Sequence, residues 1–275
     1  MMTVERKNMI LKMLDEQSSV SVTELSGKLA VSEVTVRKML NDLDKQGCLR
    51  RTRGGAVSLS VALRESGERE KERQNIREKK AIARLAYDLI DDADTIYLDA
   101  GSTTLEIVKL IRNGNKRNIV VVTNALNIVT ELIDSYDINL VFIGGNVRHK
   151  IMSCVGPLAE RAVEGMCFDK VFMGTNSLCL EMGVTTPNLT EAQIKRKVIE
   201  VSRQAILVCD ATKFGKVTMA RICPLDRFSS IITDWRIPRA LAKEILDANV
   251  HLVIAQDESK RGKRRRRFEQ DYQSS

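Results

Sequence analysis

Apolar positions in the first sixty residues repeat at helical spacing three times and then alternate. In residues 3–17, Ile10, Leu11 and Leu14 share one face of an amphipathic helix. The SVSV segment after it, with Val20 and Val22 alternating, predicts a brief strand. Thr23 to Ala30 reads as a short helix with Leu25 and Leu29 inward and Thr23 as a candidate cap. Val31 is an apolar pin in the turn. Ser32 is placed to cap a longer helix, Glu33 to Gln46, that buries Val36, Leu40 and Leu43 and stops at Gly47. The run from Cys48 to Val57 predicts a basic strand, a Gly-Gly turn and a return strand.

Two short helices joined by a tight turn, behind a supporting helix and ahead of a basic hairpin, describe a winged helix-turn-helix over residues 1–58. That geometry sets the N-terminal end of the second helix into the major groove of double-stranded operator DNA. The candidate DNA-binding residues are Thr23, Ser32, Glu33, Thr35, Arg37 and Lys38, with Arg50, Arg51 and Arg53 of the wing. Arg37 suits a guanine edge or a phosphate, Lys38 a phosphate, and the wing arginines the DNA backbone. The alternative is a small helical bundle with a solvated basic hairpin, serving protein contacts.

Residues 64–80 are dense in charges of both signs and poor in apolar side chains, so 59–80 predicts an exposed linker or solvated helix. Ile82, Leu85, Ala86 and Leu89 then restore a helical stripe. From Asp94 short apolar runs alternate with helical stretches. Strands are predicted at 95–98, 118–122, 138–143, 170–173, 205–209, 230–233 and 251–254, and helices at 103–112, 125–134, 157–165, 188–203 and 238–248. This predicts an α/β domain over 81–256 with a largely parallel sheet, whose ligands gather at strand C-termini.

Those strand ends carry the polar residues. The first runs into Asp99-Ala-Gly101-Ser102-Thr103-Thr104 and opens a helix, a combination of close backbone, hydroxyls and helix start that favours an anion. Others end in Thr123-Asn124, in Gly144-Gly145 with Arg148 beyond, in Gly174-Thr175-Asn176, and in Asp210 with Lys213 beyond. With Arg148, Lys195 and Lys213 to supply charge, these ends predict a pocket for a small phosphorylated ligand. The alternative is a pocketless dimerisation domain. Glu191 stands four residues before Lys195 on a predicted helix, and reads equally as a surface ion-pair partner and as a pocket residue.

The net charge of +8 fits a polyanionic partner, and its distribution sharpens the point. Residues 1–58 carry ten basic against seven acidic side chains, and the tail from Gln256 seven against four, while residues 59–92 balance. The tail over 257–275 is low in complexity and predicts disorder, either adding sequence-independent DNA affinity or merely solvated. Aromatics at 4% argue against a stacking platform for single-stranded nucleic acid. Six cysteines without CxxC spacing, beside two histidines, form no visible zinc site, and no cofactor is implied. Most of the cysteines sit in apolar runs and read as buried thiols in a reducing compartment. The chain opens on no signal-peptide pattern and has no apolar run of membrane-spanning length, so the expectation is a cytoplasmic protein with no membrane partner.

The stretch VTELSGKLAVSEVTVRKMLNDLDKQGCLRRTRGGAV resembles the N-terminal signature of the DeoR/glycerol-phosphate-repressor family of bacterial transcriptional regulators. It departs from the family at Arg37, Lys38 and Met39, where two arginines and an aspartate are usual, and at Arg53, where histidine is usual. LDAGSTT, VVTN, FIGGNVR, VGPLAE, GVTTPNLTEAQIKRKVI and CDATKFG resemble successive landmarks of the family's sensor domain, so the likeness runs from about Thr3 to Ile254. It implies a sensor fold related to ribose-5-phosphate isomerase, a phosphorylated sugar or polyol effector, and repression of sugar or polyol catabolism. Gly101 to Thr104 would hold the phosphate, with Asp99, Asn124, Lys195 and Lys213 facing the rest of the ligand. Operator half-sites read by paired recognition helices would make the protein a homo-oligomer. The rival reading keeps sugar-phosphate isomerase activity, for which Asp99 and Glu191 are candidate bases that no motif marks as catalytic. The attached DNA module gives ligand binding a use without turnover, which favours a regulator that is not an enzyme.

Overall fold

Residues 3–17, 19–45, 48–52, 54–58 and 68–257 are described by the computed structural model, and the chain divides between Glu65 and Ser66. The first unit contains α1 (Thr3–Gln17), β1 (Ser19–Ser21), α2 (Val22–Leu29), α3 (Glu33–Lys45), β2 (Leu49–Thr52) and β3 (Gly55–Ser58). The three helical stripes meet, burying Ile10, Leu14, Leu25, Val36, Leu40 and Leu49 in one core. Ser21 Oγ caps α2 by accepting from the Glu24 N–H at 3.1 Å, so Thr23 lies in the first turn and not at the cap. The helix closes at Ala30, left-handed at φ 49°, and Ser26 Oγ donates to Val31 O at 2.6 Å across the turn into α3.

The wing strands pair antiparallel in the order β1-β3-β2, with Ser21 opposite Gly55. Glycine is required there, because a Cβ on Gly55 would lie 1.9 Å from Val20 O, whereas one on Gly54 would meet nothing within 4 Å.

The second unit begins with α4 (Glu68–Arg73) and α5 (Ile76–Asp88). Residues 68–80, expected as an exposed linker or a solvated helix, are largely helical and belong to this unit. Lys79 is buried there, donating from Nζ to Lys71 O and, at 2.7 Å, to Gln74 O, which ties the α4–α5 joint from within. Ile82, Ala86 and Ile90 are buried, while Leu89 is left exposed just past the helix end.

Strands and helices then alternate: β4 (Thr95–Leu98), α6 (Ser102–Asn113), β5 (Val120–Thr123), α7 (Leu126–Leu132) and β6 (Asn139–Phe142). After the hairpin β7 (Asn146–Arg148) and β8 (Ser153–Val155) come α8 (Pro157–Glu164) and β9 (Phe168–Met173). Next are β10 (Ser177–Cys179), β11 (Gly183–Thr186), α9 (Leu189–Glu200) and β12 (Ser202–Val208). The unit closes with β13 (Ala220–Cys223), β14 (Ser230–Asp234), α10 (Arg239–Asp247) and β15 (Leu252–Ala255).

Seven of these strands form one parallel sheet in the order β15-β14-β12-β9-β4-β5-β6. Each expected strand is present there within a few residues of its predicted ends. Side chains alternate between two cores: Tyr97, Val171 and Leu207 face α8, α9 and α10, while Ile96, Leu98, Phe172 and Ile206 face α5, α6 and α7. Two antiparallel pieces, β10-β11-β13 and the β7-β8 hairpin, sit outside this sheet and were not foreseen. Of the cysteines, Cys154, Cys209 and Cys223 are buried, but Cys48 and Cys167 are exposed.

Strand order reverses at the β4-β9 pair: the chain proceeds from β4 to β5 and β6 on one side, and returns through β9 to β12, β14 and β15 on the other. Such a switch point opens a crevice at the strand C-termini.

Gly55→Ala should cost about 1–3 kcal/mol by forcing β1 and β3 apart. Gly54→Ala should change stability by less than about 0.5 kcal/mol. Denaturant unfolding of the full chain checks the pair; equal effects would contradict the crowding.

Candidate functional site

In the first unit, α3 presents Ser32, Val34, Thr35, Arg37 and Lys38 to solvent. Ser32 Oγ accepts from the Thr35 N–H at 3.3 Å and lies 3.0 Å from Thr35 Oγ1, capping the helix start. Glu33 is occupied on both oxygens: Arg37 NH2 donates to Oε2 at 2.8 Å and Thr23 Oγ1 to Oε1 at 3.2 Å. Thr23 and Glu33 therefore position Arg37. Arg51 donates to Asn41 Oδ1 at 2.6 Å, bringing a wing arginine to the α3 surface. The Arg50 side chain and Arg53 lie outside the described residues. Met39, a point of departure from the family pattern, is 3% exposed and packs in the core, away from the face of Arg37 and Lys38.

In the second unit the crevice at the ends of β4, β9 and β12 forms a cleft of about 520 Å³, counted to its open mouth. Its wall includes Gly101, Ser102, Thr103, Gly174, Thr175, Asn176, Glu191, Lys195, Asp210 and Lys213, with Lys71 and Lys79 from α4 and α5. Glycine spares two tight contacts here: a Cβ at Gly101 would approach Thr104 Oγ1 at 3.3 Å, and one at Gly174 would approach Asp99 Oδ2 at 3.3 Å.

Lys195 joins the elements around the cleft. Its Nζ, on a side chain only 4% exposed, donates to Asp99 Oδ2 at 2.5 Å and Gly174 O at 3.0 Å, and lies 3.4 Å from Glu191 Oε1. Arg148 NH1 donates to Glu191 Oε2 at 2.8 Å, and the Gly174 N–H to Asp99 Oδ2 at 3.0 Å. Burial alone would lower the lysine, but Asp99 and Glu191 outweigh it and hold Lys195 above the usual lysine range. Burial would likewise raise Glu191, but Lys195 and Arg148 hold it below the usual carboxylate range. Glu191 and Lys195 are thus a buried pair and not a solvated one.

Asp210 makes a second node. Its Oδ1 accepts from Asn75 Nδ2 at 3.2 Å and from the Thr212 N–H at 3.0 Å, whereas Oδ2 is buried without a hydrogen-bond partner. That oxygen is closed to solvent, although other atoms of Asp210 belong to the cleft wall. Burial works to raise Asp210, but Lys213, the Thr212 hydrogen bonds and Lys79 hold it below its usual range. Arg236 donates from NH1 to Asn75 Oδ1 at 3.1 Å and from Nε to Asp234 Oδ1 at 2.9 Å. The α4–α5 joint, where Asn75 is left-handed at φ 53°, is thereby tied to the ends of β12 and β14.

Of the expected effector residues, Gly101, Ser102, Thr103, Lys195 and Lys213 line the cleft. Asp99 and Arg148 stand behind it through Lys195 and Glu191. Thr104 donates to Asp99 O at 2.6 Å and Thr123 to Leu98 O at 2.7 Å, holding backbone in place. Asn124 accepts from Tyr97 OH at 2.8 Å and donates to Cys154 O at 2.7 Å. Gly144 and Gly145 lie apart from the cleft wall; Gly145, at φ 150°, serves the β7-β8 hairpin, since a Cβ there would lie 2.7 Å from Val155 O. Lys71, Lys79 and the free oxygen of Asp210 were not anticipated, because a charge-rich stretch gives no sign of which lysines turn inward. Among the described residues no His, Cys, Asp and Glu side chains group as a metal site, and no helix is long and apolar enough to cross a membrane.

Lys195→Met should destabilise the protein by about 3–5 kcal/mol, since it leaves buried Asp99 without a cation and takes from Glu191 one of its two cationic partners. Adding Asp99→Asn to it should recover part of that loss. Denaturant unfolding of the single and double variants checks both, and additive losses would contradict a coupled pair.

A model of the DeoR-like helix-turn-helix domain matches residues 6–62, and a model of the DeoR C-terminal sensor domain matches residues 74–235. The chain is 34% identical to the HTH-type transcriptional regulator GlpR of Haloferax volcanii over 253 residues, 92% of this chain and 98% of the relative. It is 31% identical to the transcriptional repressor AccR of Agrobacterium fabrum over 255 residues, 90% of this chain and 98% of the relative. Among solved structures, ribose 5-phosphate isomerase from Plasmodium falciparum is loosely similar, with a TM-score of 0.37 and 18% identity over 54% of this chain and 53% of the isomerase. With both units matched by models of one family, and relatives aligned along nearly all of it, the chain belongs to the DeoR family of DNA-binding helix-turn-helix transcriptional regulators.

Proposed function

We propose that the protein represses genes of sugar or polyol catabolism, and that a phosphorylated sugar or polyol bound in the cleft of its second unit changes its affinity for operator DNA. The observation that carries this reading is the composition of the cleft wall. Lys71, Lys79, Lys195 and Lys213 outnumber Glu191 and Asp210, and the N-terminus of the 12-residue helix α6 opens on the same space. Backbone N–H groups at a helix start, hydroxyls of Ser102 and Thr103, and surplus lysine charge suit a phosphate. Asn176, partly exposed on the same wall, suits a ligand hydroxyl, which makes the combination one for a hydroxylated phosphate ester.

Ligand binding becomes regulation only if the DNA-competent and incompetent forms differ in effector affinity. Lys71 and Lys79 come from α4 and α5, which follow the DNA-binding unit in the chain, so occupancy of the cleft acts on the first helices of the second unit. Reading of operator half-sites by paired recognition helices calls for a homo-oligomer.

The geometry favours binding over turnover. Both Glu191 oxygens face cations and Asp99 Oδ2 takes Lys195 and Gly174, so neither carboxylate is presented as a base. Incubation with pentose and hexose phosphates should yield no isomer; interconversion lost on Glu191→Ala would favour the enzyme instead.

A thermal-shift screen tests the effector class. A cognate sugar phosphate at a hundredfold excess over Kd should raise the melting temperature by about 5–10 °C. The unphosphorylated sugar should not, and Ser102→Ala combined with Lys213→Ala should abolish the shift while leaving DNA binding intact. Equal shifts with free and phosphorylated sugars would contradict a phosphate site. Glu191 and Asp210 are held low and Lys195 high, while burial raises Asp99 against the pull of Lys195. Because a phosphate ester loses its second charge near pH 6, affinity should fall about tenfold from pH 7.5 to 5. Calorimetric titration at the two values checks this, and a flat profile would contradict recognition of the dianion.

A further inference from the structure

Val34 is 74% exposed in the first turn of α3, although it is a large apolar side chain in a unit whose other helical stripes are buried. Met39 lies on the opposite side of the same helix and packs in the core, so Val34 belongs to the outward face by the geometry of the helix and not by fraying. Its neighbours one turn on are Arg37 and Lys38, both exposed. Glu33, between Ser32 and Val34, offers no free oxygen to this face, since Arg37 and Thr23 occupy its two. The outward face of the recognition helix therefore combines one positioned guanidinium, one ammonium and one stiff apolar side chain.

In the major groove the base edges offer hydrogen-bonding groups and one prominent apolar group, the 5-methyl of thymine. From this match we infer that Val34 reads a thymine methyl in the operator. Val34 and Arg37 are three residues apart, which places their Cβ atoms about 5–6 Å from each other on the helix surface. Base pairs stack at about 3.4 Å, so the thymine lies within about two base pairs of the position held by Arg37. A β-branched side chain in a helix is largely confined to one χ1 rotamer, so Val34 presents its methyl groups with little ordering to lose on binding. Thr35 is the other methyl-bearing side chain on this face, and its hydroxyl is engaged with Ser32 Oγ at 3.0 Å.

The inference rests on DNA binding by the first unit, and the test separates the two. Preferred sites are selected from random duplex DNA with the full-length protein, and each thymine in turn is replaced by deoxyuridine, which lacks only the methyl group. The wild type should lose about fourfold in affinity at one thymine beside the base or phosphate that Arg37→Ala identifies. Val34→Ala should bind the thymine and uracil forms of that site equally and unfold at the wild-type temperature, whereas Thr35→Ser should keep the discrimination. Three results overturn the inference: no uracil substitution weakens the wild type, Val34→Ala keeps the full penalty, or Val34→Ala weakens all DNA sequences alike. Failure of the full chain to select any sequence would overturn the DNA-binding reading along with it.

Discussion

The buried ammonium of Lys195 organises the centre of the second unit. Lys195 reaches from α9 to Asp99 at the end of β4 and to Gly174 at the end of β9, the two central strands between which the sheet reverses its order. A buried ion pair of this kind adds little net stability over a well-packed apolar alternative, because desolvation offsets most of the attraction. Its effect is on geometry: a charge that deep needs its partners, which ties α9 to the ends of β4 and β9. Glu191 and Arg148 extend the same constraint to the β7-β8 hairpin. The cleft is the space that these fixed pieces leave above the crevice, and its polarity follows from the groups that fix them.

The second node, at Asp210, connects that cleft to α4 and α5. One oxygen of Asp210 holds Asn75 at the helix joint, and Arg236 holds Asn75 from the other side while bonding to Asp234. Lys79 closes the same joint from inside while lining the cleft. An anion drawing on Lys79 and Lys213 would redistribute the charge that now acts on Asp210. In the proposed regulation an anion would therefore act first on the electrostatics of this α4–α5 joint.

Much of the fold was legible because period carries it. Seven apolar runs gave the seven parallel strands, and their alternation with helical stretches gave the α/β arrangement. The side pieces were not legible: β10, β11 and β13 are three or four residues long, and their placement rests on distant bonds such as the Thr218 N–H to Thr185 Oγ1 at 2.9 Å. For the candidate site, the hydroxyl-rich end of β4 does line the cleft, but which glycines line it was not readable. Gly144-Gly145 resembles a ligand loop in sequence and serves a hairpin in the structure. Lys71 and Lys79 were concealed by the opposite effect, being two charges among many in a stretch that reads as solvated. In α3 the helical pattern marked Val36, Leu40 and Leu43 as inward; Met39, noted only as a departure from the family pattern, is buried with them, and Val34, to which the sequence assigned no role, is exposed.

The central claim is that the cleft and the DNA-reading helix belong to one equilibrium, and thermodynamic reciprocity tests it most directly. Operator affinity is measured by fluorescence anisotropy with and without a cognate sugar phosphate, and effector affinity by calorimetry on the free and the operator-bound protein. The account predicts that both ratios are the same and differ from one, on the order of 5–150-fold. An effector that binds the free and the operator-bound protein with equal affinity would contradict it.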